Sequence, residues 1–278
     1  MSITTSRRGL LTASAWAVPA IMVSSASPAF AGSGVVPPPT SSCREIDYTF
    51  SWQASGYSFV PTSSSSLYGV GKGSAPATRV PNQSLTPAEV AAITPLTVTA
   101  SNSFTGNRMR GRLASDGAAN MRVSPFNVGG LQARGLTLLQ DLTTNNSLGN
   151  NAATRAGHAQ VLKLEFSRPV KNLRFTITDI DSTSGQYRDR VSVSGGASGV
   201  RATALRGAGT ASDPWRNNSD NTGYDPGVGS GNVAVDYSGL APVSTVLVTF
   251  WNDQSGSLSS YGLQGIFISN LTFRAMSC

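Results

Sequence analysis

Residues 162–181 read LKLEFSRPVKNLRFTITDID, and this stretch decides the fold. Leu162, Leu164 and Phe166 alternate with Lys163, Glu165 and Ser167; past Pro169, Leu173, Phe175 and Ile177 alternate with Arg174, Thr176 and Thr178. Side chains that recur every second residue line one face of a strand, so the pattern predicts two half-buried β-strands. Pro169 has no N–H to give a ladder and falls at the corner between them. The device recurs downstream. Val233, Val235 and Tyr237 alternate, Ser238 to Pro242-Val243 makes the corner, and Val246, Val248 and Phe250 alternate again. Ser167…Pro169-Val170…Leu173…Phe175-Thr176 is thus echoed by Ser238…Pro242-Val243…Val246…Val248-Thr249, with two more residues before the second proline. A pair of strand–corner–strand units predicts the core of an all-β fold, an antiparallel two-sheet β-sandwich.

Outward from this core, Ile46, Tyr48, Phe50 and Trp52 alternate with polar residues as a first strand, and residues 265–273 (GIFISNLTF) form the last. Residues 96–100 (LTVTA), 135–142 (GLTLLQDL) and 190–194 (RVSVS) are further strands, for about ten in all. Residues 57–77 are rich in Ser and Gly and read as an exposed loop. Thr86-Pro87-Ala88-Glu89 has the capping residue, first-turn proline and capping-box glutamate of a helix start, predicting one short helix near 87–93. Residues 207–232 read as a long loop of Gly, Asn and Asp.

The two cysteines, Cys43 and Cys278, flank the first and last strands. If those strands pair antiparallel, the cysteines face each other, and an oxidising exterior would let them bond. Two free thiols or an intermolecular bridge are the alternatives.

The formal net charge is +7. Taking Arg7 and Arg8 from the 21 basic residues leaves 19 against 14 acidic ones, or +5, with Lys72, Lys163 and Lys171 the only lysines. This balance favours anionic partners. The recurring aliphatic strands exclude a disordered chain.

Arg7-Arg8 precedes an uncharged stretch with Ala15-Trp16-Ala17-Val18-Pro19-Ala20 and then Ala29-Phe30-Ala31. These residues resemble the twin-arginine (Tat) signals of actinobacterial secreted proteins. The resemblance implies export of an already folded protein, with cleavage after Ala31 and no membrane span once the signal is removed. The expected organisation is a signal over 1–31, a Pro/Gly/Ser linker over 32–42 and a single β-sandwich domain over 43–278.

Several groups could carry chemistry. Asp179 and Asp181, with Asp189 and with Asn252 and Asp253 at the end of the echo unit, are hard oxygen ligands that would suit calcium; the same residues also serve as Asx turns at strand ends. Trp215, Asn217, Asn218, Asp220, Tyr224 and Asp225 mix rings with amide and carboxylate groups, as sugar recognition does; the alternative is that Trp215 only plugs the loop onto the sandwich. Arg108, Arg110 and Arg112 alternate, share a face if the segment is a strand, and would suit an anionic polymer; a plain solvated arginine face is the alternative. The single histidine, His158, sits in a polar turn and reads as solvated; no G-x-S-x-G elbow supports a triad. Of the three glutamates, Glu89 is explained by the helix cap, and Glu45 and Glu165 read as outward strand positions. No nucleic-acid module is evident.

The run from Phe166 to Asp181, with Val191 and Val193, and the closing GIFISNLTF resemble secreted bacterial jelly-roll domains of surface and wall-associated proteins. That resemblance implies a jelly-roll-like sandwich that binds glycans or other surface partners, and it carries over no catalytic residue. The expected function is an exported, non-enzymatic protein binding carbohydrate or an anionic wall polymer. A secreted polysaccharide-active enzyme and a purely structural surface protein are the alternatives.

Overall fold

The structure is a computed structural model that describes residues 43–80, 85–143, 157–254 and 262–277. The predicted signal and linker, and Cys278, lie outside the described residues. Strands dominate, and one short helix, α1 (Pro87–Ala92), stands alone among the described residues. α1 begins as the sequence predicts: the Glu89 N–H donates to Thr86 Oγ1 and the Thr86 N–H donates to the Glu89 carboxylate.

The organising stretch is one unbroken strand, β8 (Ala159–Thr178). The expectation of two strands parted at Pro169 is corrected in this detail. The bend is absorbed inside the strand, where Asn172 takes φ 50° and the ladder with the last strand skips a residue. Asparagine is among the few residues that tolerate this left-handed conformation. The echo unit does divide, into β14 (Val233–Asp236) and β15 (Val243–Asn252).

The two units pair with each other along their whole length. β15 lies antiparallel on the first half of β8, with Val246 opposite Leu164 and Val248 opposite Leu162. β14 lies antiparallel on the second half, with Val235 opposite Phe175 and Val233 opposite Ile177. Sequence similarity between the units therefore reflects one shared job: each sends its apolar face into the space between the layers, then turns the corner.

Because β8 runs through both layers, fifteen strands join in one antiparallel ladder. On the first half of β8, β5 (Thr97–Phe104) pairs opposite β15, followed by β3 (Gly71–Pro76) and β2 (Phe59–Pro61). Beyond β15 lie β10 (Tyr187–Val193) and β9 (Ser182–Thr183). On the second half, β14 carries β11 (Ser198–Arg201) on one side. The other side takes β16 (Gln264–Ile268) and β17 (Leu271–Ser277). β17 pairs with β1 (Arg44–Phe50), which pairs with β4 (Thr78–Arg79). β16 pairs with β7 (Leu136–Leu142), which pairs with β6 (Met109–Gly111). β12 (Leu205–Arg206) and β13 (Arg216–Asn217) form a separate two-stranded ladder.

The strand at residues 71–76 lies within the stretch expected to be an exposed loop. Its inward positions are Gly71, Gly73 and Ala75, which carry no apolar signal. Glycine is required at the first two, because an added Cβ would strike the Phe59 and Tyr57 rings and the backbone of β2 and its approach. The main core cluster spans both layers and includes Phe50, Trp52, Leu162, Leu164, Ile177, Val233, Val248 and Phe250. Each such side chain stabilises by roughly 1.5–3 kcal/mol relative to exposure. Trp52 satisfies its indole N–H by donating to the Ser269 carbonyl at 2.8 Å, so its burial leaves no polar atom bare.

Candidate functional site

The three arginines singled out by their alternation come to one place. β6 is only three residues long, yet its register sets Arg110 directly opposite Asp141 of β7. Arg110 Nε donates to Asp141 Oδ1 at 2.9 Å, and Arg112 Nε lies 3.0 Å from Oδ2. The Asp141 side chain is 3% exposed, whereas those of the two arginines are 40% and 45% exposed. A sunken carboxylate thus holds two half-exposed guanidiniums side by side. Burial pushes the Asp141 carboxyl up, and the two arginines pull it back down.

The neighbouring chain is packed tightly enough to fix this arrangement. Gly111, between the arginines, abuts the Tyr68 carbonyl and the Asn120 side chain, leaving no room for a Cβ. The Arg112 N–H donates to the Leu139 carbonyl, and the Asn120 N–H donates to the Arg112 carbonyl. The Thr137 N–H donates to the Arg122 carbonyl, so Arg112 and Arg122 both run along the edge of β7. The Arg122 guanidinium lies 5.8 Å from the centre of the Tyr68 ring. Arg108 is exposed beside β6, its carbonyl accepting from the Thr143 N–H. Sequence reasoning missed Asp141 and Tyr68. The signal for Asp141 was there, the one charged residue in the strand LTLLQDL.

The five residues read as calcium ligands are not assembled around one ion. Asn252 Oδ1 accepts from the N–H groups of Arg188 and Gln254, and its Nδ2 donates to the Gln186 carbonyl. Asp253 pairs with Arg190 at 3.0 Å. Both are committed to tying β10 to the end of β15. Among the described residues, no three His, Cys, Asp or Glu side chains stand where they could hold a metal ion.

Asp179, Asp181 and Asp189 do cluster. Asp189 is fully buried, and its Oδ2 accepts from the Asp181 N–H at 3.2 Å. Asp181 Oδ2 accepts from the Tyr224 N–H at 2.7 Å. Asp179 holds φ 69°. Burial, with Asp181, Asp225 and Asp116 nearby, pushes the Asp179 carboxyl up to about 8. Burial raises Asp181 to about 6 against the pull of the Tyr224 N–H and the Tyr187 hydroxyl. Asp189 is raised well above the ordinary carboxylate range by burial and by Asp181 and Asp179, with Arg190 opposing. A carboxyl that keeps its proton acts as a neutral hydrogen-bonding group.

The loop over 207–232 folds inward. Trp215 is 1% exposed, so of the two readings its ring plugs the loop onto the sandwich and is not offered to a sugar. It exchanges two backbone hydrogen bonds with Val191 of β10. Asn217 is also buried, its Nδ2 donating to the Thr222 carbonyl and its Oδ1 accepting from the Ser219 N–H and the Tyr224 hydroxyl. Asn218 donates through Nδ2 to the Thr203 carbonyl, Asp220 lies 3.5 Å from Arg188, and Asp225 accepts from the Gly227 N–H. These polar groups close the loop on itself and onto Asp181, and do not converge around a ring. His158, expected in a solvated turn, is buried at 3% exposure.

Among the described residues, no helix is long and apolar enough to cross a membrane. Comparison with protein-family models, with curated proteins and with solved structures returns no match.

Proposed function

We propose that this is an exported, non-enzymatic protein that binds an anionic polymer of the cell exterior through the arginine patch beside β6. The carrying observation is the pair Arg110 and Arg112 on the buried Asp141. Two guanidiniums per carboxylate leave net positive charge, and holding them by Nε lowers the entropy lost when an anion docks. Arg122 on Tyr68 and the exposed Arg108 widen the patch. The inward-folded Trp215 loop removes the main support for recognition of an uncharged glycan there.

The test is binding of the purified protein to inorganic polyphosphate and to neutral dextran across a salt series. Saturable polyphosphate binding that weakens with salt, and no dextran binding, is expected. Dextran binding of equal strength would instead favour the neutral-carbohydrate reading, and turnover of either polymer the enzymatic one.

Export rests on the twin-arginine resemblance and closure on the cysteines. The register of β1 with β17, Arg44 opposite Ser277, carries the pairing to within one residue of Cys43 and Cys278. The secreted species is expected to begin at Gly32 and to gain the mass of two protons on reduction. A retained N-terminus would count against export by cleavage, and alkylation of both thiols in the native protein against the bridge.

A further inference from the structure

Two short segments beside the arginine patch carry leucines that the fold leaves in solvent. The connection from β2 to β3 runs Thr62-Ser63-Ser64-Ser65-Ser66-Leu67-Tyr68-Gly69-Val70. Backbone hydrogen bonds fix its course. The Thr62 N–H donates to the Val70 carbonyl, the Ser66 N–H to that of Ser63, and the Gly69 N–H to that of Ser66. The last bond closes a turn whose central residues are Leu67 and Tyr68. Such positions suit Gly, Pro, Asn, Asp or Ser, yet Leu67 occupies one and is 53% exposed. Leu113, next to Arg112, is 47% exposed. The two segments meet at Gly111. A Cβ there would strike the Tyr68 carbonyl, which also accepts from Asn120 Nδ2 at 2.9 Å. The Leu67 turn therefore lies against the chain that carries Arg110 and Arg112, with the Arg122 guanidinium over the Tyr68 ring. One exposed acid stands nearby, Asp116 in the turn after Leu113, where it accepts from the Ala118 N–H. The four arginines 108, 110, 112 and 122 outweigh it.

We propose that this face docks on an anionic phospholipid surface, with Leu67 and Leu113 entering the headgroup boundary and the arginines meeting lipid phosphates. Single exposed leucines need no explanation, but leucines on touching segments beside a cationic patch form an interaction surface. A lipid surface rewards both kinds of side chain: the apolar ones by burial at the acyl boundary, the cations by the negative surface potential. Tyr68, with an apolar ring and a polar tip, suits the same boundary. The proposal rests on the arginine reading above. It adds a use for the leucines, which a water-soluble polyanion leaves exposed.

The experiment measures binding of the purified protein to vesicles of phosphatidylglycerol and phosphatidylcholine in equal parts, to vesicles of phosphatidylcholine alone, and to polyphosphate. Binding to the anionic vesicles and little to the neutral ones is expected. The double variant Leu67→Ser and Leu113→Ser is expected to weaken vesicle binding at least about tenfold. It should keep the parent's affinity for polyphosphate, which also shows that it is folded. A parent that binds polyphosphate but not vesicles would overturn the docking and leave the polymer reading standing; failure to bind either would remove both. Vesicle binding that survives loss of the leucines would overturn it too, because charge alone would then suffice. So would a leucine variant that loses polyphosphate binding equally. Leucine-dependent self-association without vesicle binding would give the face to a second copy of the chain instead.

Discussion

Replacing Trp215 by alanine is expected to destabilise the protein by about 3–5 kcal/mol, the range for deleting a fully buried indole. The ring fills a slot whose walls are glycine: an added Cβ at Gly199 or Gly209 would strike it directly. Gly209 also holds φ 77°, a conformation glycine adopts without strain. The backbone of Trp215 and that of Gly209 cover the outer edge of β10, accepting from the N–H groups of Val191 and Val193. Loss of the indole therefore loosens both the packing and the edge that it protects. A fall in melting temperature of roughly 10 °C is the expected reading for a domain of this size. A variant as stable as the parent would mean that the ring is exposed in solution. At temperatures where the variant remains folded, its affinity for polyphosphate should be unchanged.

Stability is expected to fall as pH rises from about 4 to about 8, the reverse of ordinary acid denaturation. The cause is the carboxyl cluster under the 207–232 loop. In the unfolded chain these aspartates lose their protons near pH 4. In the folded chain Asp181 holds its proton to about 6 and Asp179 to about 8. A raised folded pKa gives stabilisation that is complete below the unfolded pKa and is lost as pH rises through the folded one. Asp189, fully buried, acts in the same direction. The groups facing the cluster are Asp116, Asp225, Tyr187, the Tyr224 N–H and Arg190, of which only Arg190 is a cation. The combined effect is on the order of 5 kcal/mol, read as a melting temperature lower by roughly 10 °C at about pH 8 than at about pH 5. Asp179→Asn keeps the shape, tolerates the positive φ and removes the upper part of this dependence. A flat profile from pH 5 to pH 8 in the parent would contradict the buried cluster.

The architecture was legible wherever a strand has one wet and one dry face. Period-two alternation marks β1, β5, β8, β14 and β15, and the echo between residues 162–181 and 233–250 names the two units that pair. Legibility failed where the inward residue is small or the strand is too brief to show a period. β3 faces the core with two glycines and an alanine, and β12 and β13 are two residues each. The candidate site was half legible. The alternating arginines were visible, but Asp141 lies 31 residues from Arg110 and only the β6–β7 register joins them. Trp215 stayed open between two readings because a ring among amides has the same composition whether it faces solvent or plugs the fold.

The most direct test of the arginine patch is charge reversal. Polyphosphate binding is measured at low and moderate salt for the parent, for the double variant Arg112→Glu and Arg122→Glu, and for a second double variant, Arg201→Glu and Arg206→Glu on β11 and β12, as a control of equal total charge change. Loss of affinity of at least about tenfold in the first double variant, with a shallower salt dependence and near-parent binding in the control, is the predicted result. Equal weakening in both variants would show that only the overall charge matters, and would contradict a built site beside Asp141.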